Sequence, residues 1–279
     1  MTAPCLTLRA TAKQAIEFRR ANGLAFDAPC DIYDVIFRLG IDLQFVDIPS
    51  LEGMYLEEPE ARRICVSAHR PGGRQRYTAA HELGHHVLRH GTRFDAVVDD
   101  IGTVTSSGTE EKAAEAFARY VLMPPRAVQA AFRLRGYDMG SLEPVAIYRA
   151  ACWLGVGYTT LLNQMFFSLR MLSASDYERL SRTTPKSIKT ELVGTIQNCD
   201  VWFVDEFWAN RRLHAQVGDF ISGLQSQTST HLLAKRDQGM YATSTPGEAV
   251  LPLASGGDLT ICVSRAAYVG FYEYRYFPE

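Results

Sequence analysis

Residues 76–85 read RYTAAHELGH, and the last five letters form the pattern H-E-x-x-H. The spacing of apolar residues around this pattern predicts a helix over residues 74–88, with Gly91 as its carboxyl-terminal cap. On such a helix His81 and His85 lie slightly more than one turn apart, so both imidazoles project from one face. Two imidazoles on one face can bind a single zinc ion, and the rest of the fold must supply the remaining ligand.

Glu82, which follows the first histidine, has the position of a general base. It lies one step around the helix from His81, beside the ion that the histidines would hold. There its carboxylate can take a proton from a water molecule and deliver it to a leaving amine. The pattern therefore indicates a zinc-dependent endopeptidase.

A catalytic zinc site needs a third protein ligand, and the next predicted helix supplies acidic candidates. This helix begins near Thr109 and ends before Pro124, because the proline disfavours helical backbone in the residue before it. Glu111 shares one helix face with Ala114 and Ala118, whose small side chains would let this helix approach the first one closely. We therefore predict Glu111 as the third ligand.

Other residues near these two helices are candidates for the same roles. Glu115, one turn after Glu111, could accept the outer N–H of a liganding histidine, or the two glutamates could exchange roles. His86 and His90 are alternative third ligands. His86 points about 100° away from His85, and His90 lies beyond the predicted helix end, so the chain would have to bend to bring it to the metal. The intervening loop adds three further carboxylates, Asp95, Asp99 and Asp100.

The residues before the metal motif change from helical to strand periodicity. Helical spacing covers residues 8–21 and 31–39. Short β-rich stretches follow, separated by turn-forming residues, at residues 43–46, 53–56 and 63–67. They predict a small antiparallel sheet that flanks the helices with the metal site.

The last of these strands stands directly before the helix with the metal motif and suggests a place for a substrate. An edge strand can pair with an extended peptide and hold one of its bonds over the metal. Arg63, Cys65 and Ser67 on this strand are therefore the candidate substrate-binding residues.

Residues 141–167 contain two apolar helical stretches around a glycine turn, which is the shape of a helix-turn-helix. The second stretch offers Asn163 and Gln164 but no lysine or arginine, whereas helices that read DNA need cations for the phosphates. The sequence therefore favours a structural role for this pair over DNA recognition.

The last third of the chain has a different sequence pattern. Residues 173–189, with serine, threonine and alternating charges, predict a connector between domains. Strands are predicted at residues 201–204, 260–263 and 268–272, with one helix over residues 207–224. These elements make a separate α+β unit, whose many aromatic residues form either a core or a small-ligand pocket.

Length and composition limit the classes of function. With 279 residues, of which 47% are hydrophobic and 22% charged, the chain is long enough for two compact globular units. A formal net charge of -2 excludes nucleic-acid binding through bulk charge. The six cysteines form no C-x-x-C pair, which excludes a zinc ribbon and a redox dithiol. Neither a signal peptide nor an apolar run of membrane-span length is recognisable, so we expect a cytoplasmic protein without a membrane partner.

The two helical motifs together resemble those of the ImmA/IrrE metallopeptidases. In that family H-E-x-G-H is followed by E-x-x-A-N-x-F-A-x-x-L-L-M-P, and here residues 111–124 read EKAAEAFARYVLMP. The resemblance implies that His81, His85 and Glu111 bind zinc and that Glu82 is the general base. The His and carboxylate donor set also suits manganese, with zinc favoured.

The resemblance covers residues 10–170, apart from Glu115, where the family has asparagine. It implies an α+β fold class, with a zincin-like metallopeptidase domain at residues 1–125 and a helical, helix-turn-helix-like unit at residues 126–172. By analogy with radiation-response members of the family, residues 186–279 form an α+β domain similar to a GAF sensor.

Members of this family are cytosolic and cut a helix-turn-helix repressor, which switches on stress, DNA-damage or mobile-element genes. The resemblance therefore implies an XRE-type repressor as the substrate, and a small molecule or nucleic acid as the signal at the carboxyl-terminal domain. A metal-binding regulator that sequesters its partner without catalysis is the alternative. Glu82 favours the peptidase, because a metal site without catalytic function does not require a general base.

Overall fold

The computed structural model describes residues 8–96, 108–194, 199–224, 230–236, 239–253 and 256–278. The chain divides into two compact units. The first comprises Met1–Arg70, Arg74–Ala130 and Val269–Tyr272, and the second comprises Pro71–Gly73, Ala131–Tyr268 and Glu273–Glu279.

Both units contain helices and strands, which makes the chain an α+β protein. The α-helices are α1 (Leu8–Ala21), α2 (Ile32–Arg38), α3 (Gly72–Leu88), α4 (Thr109–Leu122), α5 (Pro125–Arg133), α6 (Pro144–Leu154), α7 (Tyr158–Asn163), α8 (Ala174–Ser181) and α9 (Pro185–Val193). The strands are β1 (Asp42–Val46), β2 (Leu51–Glu57), β3 (Arg62–Ser67), β4 (Arg93–Ala96), β5 (Val201–Phe203), β6 (Arg211–Gln216), β7 (Phe220–Ser222), β8 (Leu233–Lys235), β9 (Met240–Thr243), β10 (Gly247–Pro252), β11 (Asp258–Ser264) and β12 (Gly270–Phe271).

The first unit is built around a five-stranded sheet with the order β12-β1-β3-β2-β4. β2 and β3 are antiparallel, but β3 lies between β1 and β2 and runs parallel to β1. The prediction of a purely antiparallel sheet is therefore wrong. The chain reverses direction from β1 to β2 and again from β2 to β3, which brings β3 back to the direction of β1.

The short strand β12 pairs with β1 in this sheet, where Gln44 lies opposite Phe271 and Phe45 opposite Gly270. The sequence pattern placed these carboxyl-terminal residues in the domain at 186–279. Backbone pairing instead makes Val269–Tyr272 a part of the first unit. Such long-range pairing leaves no local signal, which is why the predicted boundary differs.

One hydrophobic core joins the sheet and the helices of the first unit. Phe45, Tyr55 and Ile64 from the sheet are completely buried, and so are Leu83 of α3 and Phe117 of α4. Burying one large apolar side chain contributes roughly 1.5–3 kcal/mol to stability. These side chains form the interior of the first unit.

Helices α3 and α4 approach each other closely at Gly84. A Cβ atom at this position would lie 3.1 Å from both the Cα and the carbonyl oxygen of Ala114, and 3.2 Å from Phe117 Cδ1. The absence of a side chain at Gly84 and the methyl group at Ala114 therefore permit the short distance between the helices. Because the helices are close at this point, side chains on the facing sides of α3 and α4 can contact one another.

In the second unit, the helix pair predicted within residues 141–167 is present. α6 ends at Gly155, which has a left-handed backbone conformation with φ 73°. The following helical segment, Tyr158–Ser168, is bent by 100° from α6. This angle lies in the range of helix-turn-helix pairs. Most of α6 is buried, so it forms part of the core.

Residues 173–189, which the sequence predicts as a connector between domains, are helical and form α8 and most of α9. The Ser173 hydroxyl caps α8 by accepting a hydrogen bond from the backbone N–H of Asp176. Thr184 and Ser187 form a reciprocal capping box at the start of α9. Serine and threonine occur both in loops and at helix starts, and here they are helix caps.

The helix predicted over residues 207–224 is also wrong. After a short 3₁₀ turn at Glu206–Trp208, the chain forms β6 and β7. β6 runs parallel to β11, and β7 pairs with both β5 and β9. Gly218 and Gly223 have positive φ angles of 98° and 90°, which suit turns and not a helix. Pairing with distant strands overrides the local pattern.

The strands of the second unit form two small sheets, with the orders β10-β11-β6 and β5-β7-β9-β8. Among the aromatic residues of this unit, Trp202, Trp208 and Tyr276 are buried, whereas Tyr274 and Phe277 are exposed. Several of these aromatic side chains therefore belong to the core. The assignment of a GAF-like sensor stays a prediction.

Within the described residues no single helix is long and apolar enough to cross a membrane. Among the same residues, α6 and the bent segment Tyr158–Ser168 reach that length and apolar character when taken together.

The close crossing of α3 and α4 makes Gly84 sensitive to substitution. We expect Gly84→Ala to destabilise the protein by about 1–3 kcal/mol, because the added methyl group must push α4 away. Thermal or urea unfolding measures this loss. Gly140→Ala is the control, since its Cβ would meet Asp138 at an ordinary 3.5 Å. Equal stability of the two variants would contradict the close crossing.

Candidate metal centre

Helix α3 presents His81 and His85 on one face, and α4 places Glu111 opposite them. The two Nε2 atoms are 3.1 Å apart, and Glu111 Oε2 lies 3.2 Å from His81 Nε2 and 3.4 Å from His85 Nε2. The side chain of His85 is completely buried, and 13% of His81 and 25% of Glu111 is exposed. The three groups therefore form a cluster with one partly accessible side.

The spacing of these atoms fits a shared metal ion. Zinc is bound tetrahedrally by imidazole nitrogen and carboxylate oxygen at about 2.1 Å, so two ligand atoms of one ion lie about 3.4 Å apart. The observed separations of 3.1, 3.2 and 3.4 Å are close to this value. Among the described residues, these three form a group in which all the potential ligand atoms lie within 4.8 Å of one another.

The charge state of Glu111 also suits a ligand. Hydrogen bonds from His81 first and His85 second hold the pKa of this carboxyl well below its usual range, although burial opposes the effect. Glu111 is therefore a carboxylate under ordinary conditions, as metal binding requires.

The remaining acidic candidates have different places. Glu115 forms an ion pair with Arg119, one turn further along α4. Asp95 lies in β4 opposite Gly53, and its side chain is outside the described part of the structure. Asp99 and Asp100 lie outside the described residues altogether. A role for Glu115 in orienting a histidine stays a prediction.

Glu82 is completely buried and points from α3 towards the sheet. A Cβ atom at position 53 in β2 would overlap the Glu82 carboxylate and come within 2.5 Å of Thr78 Cγ2. The carboxylate thus occupies the space that a side chain at Gly53 would need. Sequence reasoning missed Gly53, although a glycine inside a strand is a signal of close approach by another group.

Helix α3 ends differently from the prediction. The cap predicted at Gly91 is wrong, because Arg89 is the first residue with a left-handed backbone, at φ 59°. The N–H of Arg89 bonds to the carbonyl of His86, and that of His90 bonds to the carbonyl of His85. This is the Schellman pattern, and it turns the chain back over the last turn of the helix.

The turn brings His90 against His85. Their Nδ1 atoms are 3.0 Å apart, so His90 contacts the side of the His85 ring that faces away from Glu111. Burial, followed by the neighbouring His85, lowers the pKa of His90 to about 4. His90 is therefore a neutral imidazole at neutral pH. Sequence reasoning placed it outside the helix and missed this contact.

His86 faces the sheet and not the cluster. Its Nδ1 lies 2.7 Å from the hydroxyl of Tyr55 in β2, and the two rings are in edge contact. Burial raises the pKa of Tyr55 to about 12 and lowers that of His86. Both groups are therefore neutral, and this hydrogen bond joins α3 to β2.

The structure does not support the predicted substrate strand. β3 lies inside the sheet, with β1 on one side and β2 on the other, so neither of its edges is open to a peptide. Cys65 and Ser67 are buried, and Arg63 pairs with Asp42. In the described part of the sheet, the outer strands are β12 and β4.

Comparison with known proteins finds a family model that is similar to the region around this site. Residues 38–164 match the family model of a peptidase family described as the IrrE N-terminal-like domain. No curated protein matches the sequence. A solved structure, a Mycobacterium tuberculosis transcriptional regulator, shares 17% identity, with a TM-score of 0.35 over 56% of this chain. The match spans 46% of that protein.

The matched residues include α3 with both histidines and α4 with Glu111. The family model therefore covers the whole cluster described above. Residues 38–164 of this chain are therefore similar to the IrrE N-terminal-like domain, in agreement with the resemblance of the two helical motifs to the ImmA/IrrE family.

Proposed function

We propose that the first unit is a zinc-dependent endopeptidase. The observation that carries this proposal is the convergence of His81, His85 and Glu111, with donor atoms 3.1–3.4 Å apart. The buried carboxylate of Glu82 on the same helix adds a group that can move a proton. The family match supports a peptidase of the metal-dependent type.

The residues of the site would have distinct tasks. Two imidazoles and one carboxylate would hold the ion, which when bound polarises the carbonyl of the scissile peptide bond. Glu82 would accept a proton from the attacking water on its carboxylate and pass it to the nitrogen of the leaving amine. Gly53 leaves the space that this carboxylate occupies.

We propose a helix-turn-helix repressor of the XRE type as the substrate, because the family that this chain resembles cuts such proteins. An extended segment that pairs with the sheet would do so along β4 or β12, since β3 has both edges occupied. The second unit would regulate the peptidase in response to a small molecule or nucleic acid. The consequence would be expression of stress, DNA-damage or mobile-element genes.

Glu82→Gln separates catalysis from binding. The amide has the size of the carboxylate but cannot accept the proton, so cleavage should fall by about 10²–10⁴-fold while zinc stays bound. Mass spectrometry of fragments, after incubation with the helix-turn-helix protein of the neighbouring gene, measures the loss. A variant that still relieves repression fully would favour the alternative, a regulator that sequesters its partner.

Removing a ligand should abolish metal binding. We expect His81→Ala and Glu111→Ala to lose the zinc that the purified protein retains after dialysis, measured by elemental analysis. Wild-type protein should gain about 2.7 kcal/mol of stability at a free zinc concentration of 100 times the dissociation constant. Glu110→Ala is the matched control, because Glu110 lies in the same helical turn but pairs with Arg93. Zinc retention in Glu111→Ala would show that another residue is the third ligand.

Gly53→Ala tests the position of the general base. The added methyl group would displace the Glu82 carboxylate, and a misplacement of about 1 Å costs about 10²-fold in rate. Zinc content should not change, because the atoms nearest to the added Cβ belong to Glu82 and Thr78 and not to the three ligands. Gly108→Ala, where no atom lies within 4 Å of the added Cβ, is the control. Full cleavage by Gly53→Ala would contradict the assignment of Glu82.

A further inference from the structure

His90 occupies a place that neither the sequence motif nor the ligand geometry assigns. Its ring is in edge contact with that of His85, with centroids 5.1 Å apart. Its Nδ1 atom lies 3.0 Å from His85 Nδ1, which is within hydrogen-bond distance. His85 is completely buried, so its Nδ1 depends on a protein partner and not on solvent.

The chemistry of imidazole determines the direction of this hydrogen bond. A neutral imidazole carries its proton on one ring nitrogen and a lone pair on the other. His85 Nε2 faces His81 and Glu111, so it must offer its lone pair there if it binds an ion. The proton of His85 is then on Nδ1, so this N–H needs a hydrogen-bond acceptor. The unprotonated Nδ1 of His90 is such an acceptor.

The backbone that holds His90 in place has an uncommon conformation. Arg89, the residue before it, adopts a left-handed conformation with φ 59°. For a residue with a side chain this conformation is unfavourable by about 1 kcal/mol, so surrounding contacts must maintain it. The turn at Arg89 returns the chain over α3 and brings the His90 ring back to His85.

A role for His90 as a direct ligand does not fit this arrangement. His90 Nδ1 approaches His85 Nδ1. The atoms that would bind a metal ion are instead the Nε2 atoms of His81 and His85 and the carboxylate of Glu111. The His85 ring therefore lies between His90 Nδ1 and the cluster. His90 is placed to act on the cluster through His85.

We propose that His90 is a positioning residue, which accepts the Nδ1 proton of His85 and so fixes the orientation and tautomer in which His85 Nε2 faces the metal. This inference rests on the proposed zinc site. It assigns to a residue outside the H-E-x-x-H motif the task of orienting one of its histidines. It differs from the expectation that a carboxylate, Glu115, performs this task.

Zinc affinity of the full-length protein, measured by competition with a chromophoric chelator, tests this role. We expect His90→Ala to weaken zinc binding about 10–100-fold, the usual effect of losing the partner of a liganding histidine. His90→Asn should restore most of the affinity, because its amide oxygen can accept the same proton near the former Nδ1 position. His69→Ala, which removes a partly exposed histidine paired with Asp47, should bind zinc as the wild type does.

The ligand variants separate this inference from the proposed function. If His81→Ala and His85→Ala bind zinc normally, the zinc site itself is wrong. If they lose zinc while His90→Ala binds it with wild-type affinity, only the role of His90 is wrong. Loss of binding in His90→Ala as complete as in His85→Ala, without rescue by His90→Asn, would make His90 a ligand and overturn the proposal. The absorption spectrum of the cobalt-substituted protein should keep its tetrahedral bands in His90→Asn.

Discussion

The close packing of α3 against α4 is the constraint on which the candidate site depends. At Gly84 and Ala114 the two helices come so near that an additional methyl group would lie 3.1 Å from backbone atoms. Side chains within one turn of this crossing can therefore meet across the helix pair: His81 and His85 from α3 and Glu111 from α4. With bulkier residues at the crossing, a glutamate would not reach two imidazoles on the neighbouring helix.

The sheet supports the same helix from its other side. Tyr55 of β2 forms a hydrogen bond with His86, and Gly53 of the same strand leaves space for the carboxylate of Glu82. α3 thus directs its histidine ligands towards α4 and its candidate base towards β2. Burying these polar groups is unfavourable unless each has a partner, and a bound ion would be the partner for the three ligand groups.

The sequence predicted the parts of this site that follow from local periodicity. The i, i+4 spacing of His81 and His85 and the small residues on the face of Glu111 are local features, and the structure brings these three side chains together. The sequence failed where distant segments pair. The place of β3 inside the sheet removes the proposed substrate strand, and the pairing of β6 with β11 replaces a predicted helix. The contact between His90 and His85 was missed because it depends on a left-handed residue, Arg89, that has no glycine signal.

X-ray absorption spectroscopy at the zinc edge is the most direct test of the central claim, that two histidines and one glutamate converge on one metal ion. For protein loaded with one equivalent of zinc, the claim predicts four-coordinate zinc with imidazole nitrogen and carboxylate oxygen at about 2.0–2.2 Å and with imidazole scattering from two histidines. Zinc added to His81→Ala, which should not retain the ion, should give no imidazole scattering. A sulfur ligand at about 2.3 Å, or a wild-type spectrum in that variant, would contradict it.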